Sequence, residues 1–214
     1  MSDTPEDDAE RIASFRLHHG AGFDAMYAGR PPWDIGRPQP AFVKLAERGL
    51  VRERVLDVGC GTGEHALMAS ALGLEATGVD ASPTAIDLAK RKAQERGLEA
   101  RFIVWDALEL PALGQRVGRF DTVIDCGLFH VFDDDDRATF VTGLRSIIEP
   151  GGRYFMLCFS DREPGGFGPR RVTKDEIRAS FADGWVVESI DAAPLEITFG
   201  PAVQAWLVVA TPTS

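Results

Sequence analysis

The chain has 214 residues, 44% apolar and 26% charged, the balance of an ordinary folded domain long enough to bury a full core. Its formal charge is −10, which argues against a nucleic-acid backbone as partner, since that needs a basic surface. No apolar run is long enough to span a bilayer and no secretory core follows the acidic start; Cys60, Cys126 and Cys158 show no C-x-x-C spacing. The expectation is a cytoplasmic protein with reduced thiols and no membrane partner.

Taken in order, residues 1–14 are expected to be a flexible acidic lead, with Asp3, Glu6, Asp7, Asp8 and Glu10, and residues 15–214 one domain. A short helix is expected over Arg11–Leu17. From Phe23 to Pro38 the density of Pro and Gly predicts an ordered loop, whose aromatics Tyr27 and Trp33 are placed to close over a pocket. A helix over Gln39–Arg48 leads into the first strand. Val55-Leu56-Asp57-Val58 then runs straight into Gly59-Cys60-Gly61-Thr62-Gly63, and Glu64–Leu72 has the apolar spacing of a helix. Glycines let the backbone turn with positive φ and bring a ligand against the main chain, while the next helix points free N–H groups into the turn.

Beyond the turn the alternation is regular. Glu75–Val79, Glu99–Trp105, Phe120–Cys126 and Arg153–Phe159 read as strands two to five. Pro83–Arg96 is a helix with Ser82 as cap and Gly97 just past its end. Arg137–Ile148 is a helix stopped by Pro150-Gly151-Gly152. Thr173–Phe181 opens on a capping box with Glu176, and Trp185–Ile190 and Val203–Ala210 are the last two strands. Strands alternating with helices predict an α/β domain with a mostly parallel sheet covered on both faces.

The acids at the strand ends select the ligand. A dinucleotide fingerprint needs G-x-G-x-x-G, whereas here the spacing is Gly59-x-Gly61-x-Gly63. Asp57, two residues before the first glycine, suits a cation such as an amino group better than a phosphate. Asp-x-Gly-x-Gly-x-Gly resembles the first motif of the class I S-adenosylmethionine-dependent methyltransferases. Asp80, at the end of the second strand, falls where that family's ribose-binding acid belongs, and Asp106, after Phe102–Trp105, where its adenine-side acid belongs. The resemblance implies a Rossmann-like sheet in the order 3-2-1-4-5-7-6, with the last strand antiparallel, and S-adenosyl-L-methionine as cofactor. It assigns the cofactor to Asp57, Gly59, Cys60, Gly61, Asp80, Ala81, Asp106, Ala107, Cys126 and Trp33.

A second resemblance concerns the acceptor. Pro32-Trp33-Asp34-x-Gly36-x-x-x-Pro40 ahead of the first strand is similar to the thiopurine, halide/thiol and tellurite-resistance methyltransferases. In that group the N-terminal aromatic segment, here residues 15–38, covers the cofactor and shapes the acceptor pocket. The implied reaction is methyl transfer to a small-molecule thiol, phenol or quinol hydroxyl, or N-heterocycle, with Tyr27, Phe129 and Phe167 as candidate acceptor contacts. His130, at the edge of the fourth strand, is a candidate base, because an unperturbed imidazole titrates near neutral pH; the plainer alternative is packing beside the pocket. Val172 and Phe167 are candidates for a pocket wall, and Arg170-Arg171 for an anionic acceptor. Asp133–Asp136 reads as a helix start whose acids cap free N–H groups, not as a metal site. A non-catalytic cofactor-binding module and an NAD(P)-dependent oxidoreductase are the alternatives in other classes.

Overall fold

The computed structural model describes residues 21–165 and 168–213. The acidic lead, the Arg11–Leu17 helix and Phe167 lie outside the described residues. Helix α1 (Ala21–Met26) and α2 (Pro40–Glu47) precede β1 (Arg54–Val58). Then follow α3 (Glu64–Ala71), β2 (Glu75–Asp80), α4 (Pro83–Arg96), β3 (Ala100–Val104), α5 (Leu110–Val117) and β4 (Phe120–Cys126). The remainder is α6 (Asp134–Ile147), β5 (Ile148–Phe159), α7 (Lys174–Ser180), β6 (Trp185–Leu195) and β7 (Val203–Pro212).

The strands form one seven-stranded sheet in the order β3-β2-β1-β4-β5-β7-β6. The first five are parallel in register, with Asp57 level with Gly78 on β2 and with Ile124 on β4. Strand β7 runs antiparallel between β5 and β6. Alternate residues of β1 divide between two cores, as the period of a strand requires. Leu56 and Val58 join Leu113 of α5 and Phe140 and Leu144 of α6 on one face. Val55 joins Phe42 of α2, Leu67 of α3 and Ile86 of α4 on the other. All the chain reversals of a parallel sheet are carried by helices, so the carboxyl ends of β1, β2 and β4 meet at one edge.

Local chemistry explains the boundaries. Ser82 accepts a hydrogen bond from the Ala85 amide, Pro83 occupies the first turn of α4, and Gly97 closes it at φ 63°. Thr173 and Glu176 form the capping box of α7. Asp133 accepts from the Asp136 amide, so α6 begins three residues before Arg137, on the acidic run itself. Four elements depart from the sequence expectation. Residues Ala21–Met26 are helical, not loop. Helix α5 had no counterpart: it is eight residues long, too short for a clear apolar period, and its Pro111 sits in the first turn, where a missing N–H costs nothing. Strand β5 starts at Ile148, running through Pro150-Gly151-Gly152 with a register shift against β4, and β6 extends five residues past Ile190.

Candidate active site

The turn between β1 and α3 is built from backbone that only glycine tolerates. Gly61 has φ 52° and Gly63 φ 85°; a Cβ on Gly63 would meet the Phe102 ring at 2.6 Å, and one on Gly61 the Tyr27 hydroxyl at 2.8 Å. The Cys60 amide donates to Val79 O at 2.9 Å, stitching the turn to β2. Asp80 holds the same turn from the other side. Its Oδ2 accepts from the Gly61 amide and its Oδ1 from the Ser82 amide, both at 2.8 Å. Burial pushes its pKa up to about 6, helped by the carboxylates of Asp57 and Asp24 and opposed by the two amides.

A cavity of about 850 Å³ opens over this edge, towards the upper end of the roughly 300–1,000 Å³ common for ligand sites. Gly59, Cys60, Gly61, Asp80 and Ala81 line it from β1 and β2, and Asp106, Ala107 and Cys126 from β3 and β4. Asp106 accepts from the Leu108 amide at 2.9 Å and opens a single 3-10 turn, which sets Ala107 on the wall. Burial raises the thiols of Cys60 and Cys126 well above their ordinary range, so neither is a thiolate nucleophile.

Asp57 is placed differently from the other acids. It is fully buried and does not line the cavity. Its Oδ2 accepts from the Ala66 amide in the first turn of α3 at 3.1 Å, while Oδ1 has no hydrogen-bond partner. A buried oxygen left without a donor costs on the order of 1–3 kcal/mol, so this strand end favours a cationic ligand group nearby. That fits the methionine end of the expected cofactor. His65, which the sequence reading passed over, does line the cavity and stands with Nδ1 3.8 Å from that orphaned oxygen.

The aromatic segment is tied down over the turn. Trp33 Nε1 donates to the Tyr27 hydroxyl at 3.0 Å, and the two rings meet edge to face, as do Phe23 and Trp33. Burial, with Asp80 nearby, raises the Tyr27 phenol far above its ordinary range, so it stays protonated. Asp34, in the same motif, accepts from the Thr62 hydroxyl at 3.0 Å and joins the loop directly to the glycine turn. Asp24 of α1 accepts from the Ser82 hydroxyl at 2.5 Å and from the Thr84 amide at 3.1 Å, latching α1 to the start of α4. Neither Asp24 nor Asp34 carried a role in the sequence reading. Their signal was an acid within a loop, which has no meaning until its partner helix is known.

On the β4 side, Asp125 is buried and accepts from the amides of Leu128 and Phe129 and from the Tyr154 hydroxyl, anchoring the loop that carries His130. Burial pushes its pKa up to about 7. His130 lines the cavity, but its Nδ1 already accepts from the Phe159 amide at 3.0 Å. Burial, with Arg137 and Arg171 nearby, lowers its pKa to about 3. So weak a base does not take a proton from an acceptor near neutral pH; the ring is neutral, with its remaining N–H on Nε2. Phe129, a candidate acceptor contact, is instead fully buried, stacked on Phe181 with the Arg137 guanidinium 4.5 Å from its ring centre. Val172 is likewise core, not wall. Arg170 reaches the cavity rim but is paired with Asp134 at 2.6 Å and with Glu176, and Arg171 spends its donors on the carbonyls of Glu163, Pro164 and Pro169.

The mouth is apolar. Among the described residues, five of the seven exposed large apolar side chains (Phe23, Met26, Trp33, Val131 and Phe199) line this one cavity. Phe199 and its neighbours Leu195 and Ile197 come from the end of β6 and the loop to β7, held by Thr198 N donating to Pro32 O at 2.8 Å.

Residues 55–152 match the family model described as a methyltransferase domain. The chain is 39% identical to the 2-heptyl-1-hydroxyquinolin-4(1H)-one methyltransferase of Mycobacteroides abscessus over 170 residues, which cover 78% of this chain and 74% of that one. It is 29% identical to the probable thiol methyltransferase 2 of Arabidopsis thaliana, covering 81% and 76%. A solved structure from work on the conversion of a disulfide bond into a thioacetal group during echinomycin biosynthesis superposes with a TM-score of 0.82 at 42% identity, covering 90% and 92%. Sheet order, strand-end acids, glycine turn and relatives agree: this chain belongs to the class I S-adenosylmethionine-dependent methyltransferases.

Proposed function

We propose that the methyl acceptor is a small molecule with an apolar body that presents a thiol, a phenol or quinol hydroxyl, or a ring-nitrogen nucleophile. The observation that carries this is the ring of exposed apolar side chains at the mouth, next to a strand edge made of acids and amides. The named relatives support it: one methylates an alkyl hydroxyquinolone and another is a probable thiol methyltransferase. No helix among the described residues is long and apolar enough to cross a membrane. We place the reaction in the cytoplasm, as the buried, unpaired thiols favour.

In this reading each strand end has one task. Asp57 neutralises the methionine end, with main-chain groups of Gly59, Cys60, Gly61 and Cys126 around it. Asp80 accepts from the ribose hydroxyls, with Ala81 beside it, and Asp106 with the Ala107 amide addresses the adenine edge. Bound S-adenosylmethionine supplies an electrophilic methyl on a sulfonium. The residues 21–38 of the aromatic lid exclude water and align the acceptor, the source of most acceleration in an in-line displacement. Trp33 and Tyr27 lie at the turn, where a cation against a ring face gains about 0.5–2 kcal/mol per contact. His130 donates from Nε2 towards an acceptor oxygen and serves no proton abstraction, so the acceptor arrives ionised or needs no base.

The test is transfer of label from methyl-labelled S-adenosylmethionine to a panel of thiols, phenols and hydroxylated N-heterocycles, each with and without an alkyl substituent. Transfer to the apolar members, with KM falling as the substituent grows, is expected. Transfer confined to small charged acceptors would overturn the proposal.

A further inference from the structure

Asp57 bears the charge that suits the methionine end, yet it is not on the cavity wall; His65, beside it, is. The imidazole is oriented on both sides. Its Nε2 accepts from the Gln39 amide at 3.2 Å, so the lone pair is there and the ring proton is on Nδ1. That proton faces Asp57 Oδ1 across 3.8 Å, just beyond hydrogen-bonding length, and Oδ1 has no other partner. Phe42 packs edge-on against the ring at 4.7 Å and prevents it from turning away. Gln39 is itself fixed: its side-chain amide and the Glu196 backbone exchange two hydrogen bonds, each 2.9 Å. Hydrogen bonds thus run from the loop at the mouth through Gln39 to His65, whose Nδ1 stands 3.8 Å from the acid at the end of β1.

We propose that His65 is the positioning residue through which Asp57 acts on the cofactor: its Nδ1–H, 3.8 Å from Oδ1 of Asp57, orients that carboxylate electrostatically behind the glycine turn. This rests on the assignment of Asp57 to the methionine end. Two substitutions separate the roles of the two ring nitrogens. In His65→Asn the amide NH2 stands where Nδ1–H stood, which keeps the donor to Asp57 and removes the acceptor for Gln39. In His65→Gln the longer side chain reaches the place of Nε2, which keeps that acceptor and removes the donor.

The experiment is calorimetric titration of S-adenosylhomocysteine into the parent and both variants, with melting temperatures measured alongside. Expected is His65→Asn within about threefold of the parent in Kd but with a lowered Tm, and His65→Gln at least about tenfold weaker with a Tm near the parent's. A His65→Gln protein that binds like the parent would overturn the proposal, because it would leave His65 only the structural task of holding Gln39. Asp57→Asn is the control. If it weakens binding while His65→Gln does not, His65 alone is misassigned; if it binds like the parent, the reading of Asp57 fails as well. Nitrogen-15 spectra of the parent provide a check that needs no stable variant. A proton on Nδ1 of His65 is expected, and a proton on Nε2 with Nδ1 bare would overturn the proposal.

Discussion

The two ends of the cavity are made of different material. At the strand edge the groups that face the ligand are backbone amides and carboxylates, held by positive-φ glycines and short hydrogen bonds such as those from Gly61 and Ser82 to Asp80. At the mouth they are apolar side chains from residues 23–33, 131 and 199, brought together by a few tethers such as Thr198 to Pro32 and Asp34 to Thr62. The first end is specified by main-chain geometry and admits one kind of ligand. The second is specified by surface, which changes with any one side chain, so acceptor choice is free to vary while cofactor choice is not.

The comparison breaks most clearly at Asp80. Asp80→Ala removes the acceptor of two turn amides and, in the proposed reading, of the ribose hydroxyls, and is expected to weaken S-adenosylhomocysteine by about a hundredfold in calorimetry. An unchanged Kd would take the acid off the ribose. Next comes pH. With its pKa raised to about 6, Asp80 is protonated below that value and charged above it. If the charged form is the one that accepts from ribose, as proposed, affinity should fall as pH drops through 6, by about tenfold between pH 7.5 and 5. Titrations at the two pH values that agree would contradict this. Asp24→Ala leaves Asp57, Asp80 and Asp106 in place but frees α1 from Ser82 and Thr84; a smaller loss, about fivefold in Kd, is expected.

At the other end the effects should appear in acceptor kinetics. Trp33→Ala is expected to lower acceptor kcat/KM about tenfold and leave the Kd of S-adenosylhomocysteine, which has no sulfonium, within about threefold, since it removes a ring from the mouth and the Tyr27 hydrogen bond. Wild-type kinetics would return Trp33 to a packing role. The smallest effect is assigned to His130→Asn. With the imidazole already neutral, the pH profile of kcat should keep its shape, and loss of a limb near pH 6–7 would restore the base.

Legibility in the sequence followed the same division. The glycine turn, Asp80 and the helix Pro83–Arg96 were readable because each depends on local rules: positive φ, an acid at a strand end, a Ser-Pro start and a Gly stop. The sheet order came from resemblance, since strand neighbours are a long-range property, and the observed order agrees with it. What sequence spacing could not show was direction. Phe129 and His130 are adjacent, yet one points into the core beside Phe181 and the other onto the cavity. Asp57 was readable as a charge but not as a buried one, and His65 was hidden in the first turn of α3, where Glu64, His65, Ala66 and Leu67 are all buried and polar and apolar residues do not sort onto separate faces. The mouth was half visible, in Trp33 and Tyr27; Leu195, Ile197 and Phe199 join it only through a fold that brings residues some 160 positions later against Pro32.

The most direct test of this division is one acceptor assay run on two variants, Asp80→Ala and Phe199→Ala, across an alkyl-substituted series, with the concentrations of acceptor and cofactor both varied. The account predicts that Phe199→Ala raises KM most for the longest substituent and leaves cofactor binding unchanged, while Asp80→Ala weakens the cofactor equally with every acceptor. A Phe199→Ala protein whose KM rises equally across the series, or not at all, would contradict an apolar acceptor seated at the mouth.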